Sequence, residues 1–209
     1  MDDSGAKAEI DRRLTFIAAS DLLKLIERAN TLSSDSRFEN VAEHSWHVSL
    51  LAMIFADAAP DGTDHNRVRD LLVVHDLVEV HAGDTVVWDN RPESEVRLRE
   101  VAAANRLFGM LSQSQNRKLL DLWQEFDALE TVEARFARAL DAIHPMLMSW
   151  GPGSNGHPRT DLRPARVLQR KRGWLVEFPM LWQIAQDVVQ SAVDRGLLDA
   201  DECEQGNIR

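Results

Sequence analysis

Apolar residues recur at helical spacing nearly throughout the chain, and no segment alternates convincingly with the two-residue period of a strand. The first helix is predicted from about Glu9 to Ala29, with Leu14, Ile17, Leu22, Leu25 and Ile26 facing inward. A polar stretch from Thr31 to Glu39 breaks the pattern. The second helix spans roughly Val41 to Ala58 and carries Val48, Leu51, Ala52 and Phe55, and Pro60-Asp61-Gly62 ends it with turn residues. The third covers about Asn66 to His81, with Asp64 as its N-cap and Gly83 as its stop. A charged stretch beginning at Glu93 leads into Leu107-Phe108-Gly109, and another helix follows Ser114 through Leu119, Leu122, Trp123 and Phe126. Thr131 caps the next, through Phe136, Leu140 and Ile143 towards Trp150. Gly151 to Pro158 reads as a loop, and Pro179 to roughly Arg195 is the clearest of one or two closing helices. The pattern predicts a single all-α domain over residues 1–209, a helical bundle with its core at about 14–150 and C-terminal helices at about 160–196.

Several polar residues interrupt the apolar faces. His75-Asp76 lies inside Leu71-Leu72-Val73-Val74-His75-Asp76-Leu77-Val78-Glu79, and Glu79 follows three residues after Asp76, on the same face. Burying such groups without partners costs several kcal/mol each, so something must satisfy them. A divalent metal is one answer, because it binds a His nitrogen and an Asp oxygen together. A hydrogen-bonded core pair is the other. Glu43-His44 opens the second helix, where His44 is either an inward ligand or a polar residue of the first turn. Asp141 sits inside Phe136-Ala137-Arg138-Ala139-Leu140-Asp141-Ala142-Ile143, where it either points inward or pairs with Arg138 across one helical turn. Three helices each presenting His or Asp inward can enclose one metal in a bundle core.

Composition narrows the partners. The formal net charge of −10 argues against a nucleic-acid polymer as ligand, but not against a small phosphorylated one held by a metal and a few local cations. No apolar run has the length of a membrane span, so no membrane association is expected. Cys203 is the sole cysteine, which rules out an internal disulfide, and Met1 to Lys7 lacks a signal-peptide pattern. Cytoplasmic residence is the expectation.

The order Glu43-His44, His75-Asp76, Asp141 resembles the metal signature of the HD-domain phosphohydrolase superfamily, and most of all its small bacterial 5'-nucleotidase and 5'-deoxynucleotidase branch. Arg37-Phe38-Glu39-Asn40-Val41-Ala42-Glu43-His44-Ser45-Trp46 is similar to the first motif of that branch. His75-Asp76-Leu77-Val78-Glu79-Val80-His81-Ala82-Gly83-Asp84 is similar to the second, and Ala137-Arg138-Ala139-Leu140-Asp141 to the third. The resemblance runs from roughly Leu14 to Trp150 and covers the tail beyond Gly151 weakly.

The resemblance implies an HD-domain fold with the metal site in the bundle core, and ligation of one divalent ion by His44, His75, Asp76 and Asp141. Two imidazoles and two carboxylates accept manganese, cobalt, iron, zinc or magnesium. It further implies that Glu79 and Asp84 handle protons and orient water around the phosphate, and that the chain forms a homodimer. Arg37 and Arg28 are candidates for holding the phosphate, since a guanidinium engages two oxygens at once. The activity implied is hydrolysis of nucleoside or deoxynucleoside 5'-monophosphates to nucleoside and phosphate.

In the deoxynucleotidase branch an Arg-Trp pair precedes the first motif and is associated with selecting deoxyribose. Here that region reads Arg28-Ala29-Asn30, so no preference for 2'-deoxynucleotides is predicted. His47, His81 and His144 lie one turn or less from candidate site residues and are expected to support the site or face solvent. The alternatives are an HD-type phosphatase or pyrophosphohydrolase acting on another metabolite, a di-iron oxygenase, and a non-catalytic signalling domain. Retention of both Glu79 and Asp84 weighs against the last.

Overall fold

A computed structural model describes residues 3–34, 36–83, 92–156, 158–159 and 161–200. Helices dominate, as α1 (Asp3–Ser20), α2 (Val41–Ile54), α3 (His65–Val74), α4 (Glu79–Ala82), α5 (Glu93–Phe108), α6 (Gln113–Ala128), α7 (Val132–Trp150), α8 (Pro164–Leu175) and α9 (Pro179–Asp194). The expected all-α class holds, with one exception. Strands β1 (Glu27–Thr31) and β2 (Phe38–Asn40) pair as a short ribbon. The chain groups into two compact units, residues 1–29 with 38–138, and residues 30–37 with 139–209.

In the first unit α2 packs on α3, α3 on α6, α6 on α5 and α5 on α4. Val48, Val68, Leu71, Leu72, Leu107, Phe108, Leu122 and Phe136 are buried there. Caps and ion pairs fix the helix ends. Asp64 accepts hydrogen bonds from the amides of Asn66 (2.9 Å) and Arg67 (3.1 Å), as its predicted role as N-cap of α3 requires. Thr131 accepts from the Ala134 amide at 3.1 Å and donates to Glu125 Oε1 at 2.7 Å, while Arg67 Nε donates to Glu125 Oε2 at 2.9 Å. One carboxylate thus ties the end of α6 to both α3 and the start of α7.

In the second unit α8 packs on α9, and Leu140, Ile143, Leu175, Phe178 and Leu181 are buried. Arg195 donates to the carbonyls of Trp150 (3.0 Å) and Ser154, clamping the end of α9 to the end of α7. The turn between β1 and β2 belongs to this unit, where Ser33 O accepts from the Asn155 amide at 2.9 Å.

The N-terminal expectation needs correction. The first helix ends at Ser20, a 3-10 turn covers Asp21–Leu25, and Arg28 stands on a strand. Phe16 and Leu23 are the buried residues, whereas Leu14, Ile17, Leu22 and Leu25 are exposed. The ribbon escaped detection because its residues, Glu-Arg-Ala-Asn-Thr and Phe-Glu-Asn, are mostly polar. A strand with polar side chains on both faces has no hydropathy alternation to detect.

The third helix is not continuous either. α3 stops at Val74, and the chain winds more tightly through Leu77 N to Val74 O (3.1 Å), Glu79 N to Asp76 O (3.0 Å) and His81 N to Val78 O (3.1 Å) before α4 forms. Gly83 then ends α4 with φ +76, a left-handed backbone that favours glycine. In a segment of three residues per turn, side chains three apart eclipse, so Asp76 and Glu79 lie one above the other.

Candidate metal centre

Three backbone devices bring the polar anomalies of the first unit together. The β-ribbon turns Arg28 and Glu39 to one side, with Arg28 Nε 3.8 Å from Glu39 Oε2. Asn40 then ends the strand and caps α2: its side chain accepts from the Glu43 amide at 3.0 Å, and Glu43 Oε2 accepts from the Asn40 amide at 3.1 Å. This reciprocal cap accounts for Glu43 and fixes His44 in the first turn of α2. The tight winding after α3 supplies the third device, since it begins at His75.

The result is a buried cluster around Asp76. His75 Nε2 lies 3.1 Å, His44 Nε2 3.7 Å and Arg28 Nη1 2.9 Å from Asp76 Oδ2. The side chains of His44 and His75 are 0% and 1% exposed, those of Arg28 and Asp76 13% and 15%, so these groups meet out of bulk water. The two imidazoles sit side by side with ring centres 5.5 Å apart, and Phe126 packs on His75 at 4.8 Å.

The back of the His75 ring is held by a hydrogen bond. His75 Nδ1 lies 2.7 Å from the Leu72 carbonyl, an acceptor only, so Nδ1 carries the hydrogen. Nε2 of neutral His75 is then a lone pair aimed at a carboxylate oxygen. Two lone-pair atoms at 3.1 Å repel unless a proton or a metal cation lies between them. His44 is placed similarly, with Nδ1 facing Glu39 Oε2 at 3.6 Å, beyond direct hydrogen-bond length, and Nε2 turned to Asp76 at 3.7 Å. Metal-binding histidines characteristically have the far nitrogen anchored on a carbonyl or carboxylate in this way. Burial pushes the Asp76 carboxyl up, but positive charge on His75, Arg28 and His44 outweighs it and holds the group well below the usual carboxylate range; a divalent cation would supply that charge in place of the ring protons. An ionised carboxylate with two imidazole lone pairs is a donor set that fits a divalent ion.

A family model described as HD domain matches residues 20–182. The chain belongs to the HD domain family. A crystal structure described as a predicted metal-dependent phosphohydrolase, from Magnetospirillum magnetotacticum MS-1, aligns with a TM-score of 0.79 at 36% identity, covering 92% of this chain and 97% of that one. The chain is 28% identical over 137 residues to 5'-deoxynucleotidase HDDC2 of Homo sapiens, covering 65% of this chain and 66% of that protein. It is 30% identical over 137 residues to 5'-deoxynucleotidase HDDC2 of Xenopus laevis, covering 65% and 67%. The chain thus spans about two thirds of the length of these curated relatives.

Of the residues singled out in this HD domain sequence, His44, His75, Asp76 and Arg28 come together in the first unit. Glu79 is half-buried in the first turn of α4, its amide bonded to the Asp76 carbonyl. Asp84 lies outside the described residues. Arg37 is exposed and belongs, like Asp141, to the second unit. Asp141 is half-buried on α7, and Pro145 four residues later lacks the amide hydrogen that would bond its carbonyl in a regular helix. His144 is buried, His47 half-buried and stacked on Trp46 at 5.5 Å, and His81 half-buried with burial lowering its pKa.

Glu39 was missed. It is 2% exposed, and hydropathy assigns it to a polar interruption. The available signal was its position five residues before His44, directly ahead of an Asn-Val-Ala-Glu capping box.

Proposed function

We propose that this HD domain is a metal-dependent phosphoric monoester hydrolase that converts nucleoside or deoxynucleoside 5'-monophosphates to nucleoside and inorganic phosphate. The observation that carries this reading is the convergence of His44 Nε2 and His75 Nε2 on the ionised Asp76 carboxylate in a buried cluster. The names of the relatives supply the substrate class.

His44, His75 and Asp76 would hold one divalent ion, with Asp141 as the fourth ligand implied by the sequence motif. Such an ion contributes Lewis acidity, neutralising a phosphoryl oxygen and lowering the pKa of a water from about 15.7 towards about 7. The chain's own residues do the rest. Glu79, eclipsing Asp76 on the same side of the winding, takes a proton from the attacking water. As the bond from phosphorus to the 5'-oxygen breaks, a proton passes to that oxygen, a role suited to Glu79 or Asp84. Arg28, already paired to a site carboxylate, offers a guanidinium to the phosphate oxygens, and Arg37 is a second candidate. Ala29, not Trp, follows Arg28, so the residue associated with deoxyribose selection is absent and both sugar classes belong in the substrate panel.

A homodimer fits the exposed apolar face of α2, where Trp46, Leu50, Met53 and Ile54 recur at helical spacing. Among the described residues no helix is long and apolar enough to cross a membrane.

The test is phosphate release from a panel of ribo- and deoxyribonucleoside monophosphates, assayed with manganese, cobalt, iron, zinc and magnesium in turn. Release with at least one metal, abolished by a chelator, is expected. No release from any monophosphate with any metal sinks the nucleotidase proposal.

A further inference from the structure

We propose that Glu39 is a positioning residue of the metal centre, holding the His44 ring so that Nε2 faces Asp76, and coupling that ring to Arg28. The inference rests on the proposed metal site and adds a residue that none of the three sequence motifs assigns a role.

A carboxylate at 2% exposure is costly to bury unless cations or hydrogen-bond donors surround it. Two groups that face Glu39 Oε2 belong to the site: His44 Nδ1 at 3.6 Å and Arg28 Nε at 3.8 Å. Each of them also faces Asp76 Oδ2, His44 through Nε2 at 3.7 Å and Arg28 through Nη1 at 2.9 Å. Glu39, His44, Asp76 and Arg28 therefore form a closed ring in which two cationic or polar groups alternate with two carboxylates. A carboxylate facing Nδ1 at 3.6 Å acts on the ring through its charge, which favours the tautomer with the hydrogen on Nδ1 and the lone pair on Nε2. His75 obtains the same tautomer from a direct hydrogen bond to the Leu72 carbonyl at 2.7 Å.

The local fold explains why a side chain at position 39 can do this. Glu39 is the middle residue of β2, between exposed Phe38 and the capping Asn40, so strand alternation turns it inward. The capping box makes the path from Glu39 to His44 short and rigid. A pairing of Glu39 with Arg28 alone would stabilise the ribbon but would make no demand on the tautomer of His44.

The experiment is a titration of metal-free protein with zinc and with manganese, followed calorimetrically, for wild type, Glu39→Gln, Glu39→Asp and His44→Ala. Loss of an orienting partner behind a ligand typically weakens metal binding about 10- to 100-fold. Glu39→Gln is expected to show a loss of that size, with Glu39→Asp recovering part of it. A wild type that binds neither metal overturns the metal site itself. A wild type that binds while Glu39→Gln binds equally well overturns only the role of Glu39. Nitrogen-15 NMR of the metal-free wild type at alkaline pH supplies a reading that needs no folded variant at position 39. The His44 ring, assigned by its absence in His44→Ala, should carry its hydrogen on Nδ1, and a hydrogen on Nε2 rejects the proposal.

Discussion

Arg28 reaches across 48 positions of sequence to place Nη1 2.9 Å from Asp76 Oδ2, so the β-ribbon and the end of α3 meet on one carboxylate. That carboxylate is held ionised, because positive charge on His75, Arg28 and His44 lowers its pKa more than burial raises it. Asp76→Asn keeps the shape and removes the charge. The variant is expected to lose bound metal at least about tenfold by elemental analysis, with activity falling at least as far. Full metal content in Asp76→Asn places the ligand set elsewhere.

Arg28 itself is predicted to act on substrate more than on metal. Losing one or two charge-assisted hydrogen bonds to a phosphate corresponds to about 10- to 100-fold in affinity. Arg28→Ala should therefore raise KM by that order while retaining metal. Arg28→Lys should rescue little, because an ammonium cannot reproduce the planar fork. An unchanged KM in both variants assigns Arg28 to the architecture of the cluster alone.

Substitution of Glu79 tests proton transfer separately from metal binding. It is the first residue of α4 and lies one tight turn beyond Asp76. A positioned acid or base contributes about 10²–10⁴-fold, so Glu79→Ala should lose activity on that scale with its metal retained. If elemental analysis finds the metal gone, Glu79 joins the ligands.

The clearly amphipathic parts of the fold were legible in sequence because helical periodicity survives any tertiary context. Asp64, Thr131 and Gly83 act at the helix ends as their residue types predict. What failed was short and polar. The β-ribbon has no apolar alternation, and the winding at His75 to Val78 differs from an α-helix by one hydrogen-bond register, which hydropathy does not encode. The inward stripe of the first helix was misassigned for a different reason. Leu14 and Ile17 have the right spacing but face outward, and periodicity identifies an apolar face without saying what covers it. The meeting of His44, His75 and Asp76 was readable because His and Asp inside apolar runs demand partners. Glu39 was not, because a carboxylate in a polar stretch makes no such demand.

The outer face of α2 bears on oligomeric state. Trp46, Met53 and Ile54 are 67%, 58% and 66% exposed, and Leu50 lies between them on the same stripe. If the proposed homodimer forms, this stripe is the surface that would be tested first. A homodimer through it predicts that Met53→Glu with Ile54→Glu shifts light-scattering mass from dimer to monomer. A mass unaffected by the double substitution means that the partner surface lies elsewhere.

Glu100 on α5 gives the fold a pH dependence outside the metal cluster. It faces a groove of about 620 Å³ lined also by Ser94, Val96, Arg97 and Asp127. Burial raises its pKa above the usual 4.5, Asp127 and Asp76 add to the shift, and Arg97 and Arg138 oppose it. The native state then holds its proton to higher pH than the unfolded chain does. The stabilising contribution is complete below the unfolded pKa and is lost as pH rises through the folded one, after which it stays absent. Glu100→Gln removes the titration and sacrifices only a partly exposed ion pair at 3.8 Å to Arg97, worth little by itself. The thermal midpoint of Glu100→Gln should therefore rise relative to wild type as pH increases through and beyond the usual glutamate range. A difference that stays constant, or shrinks, across that range contradicts the assignment of the raised carboxyl to Glu100.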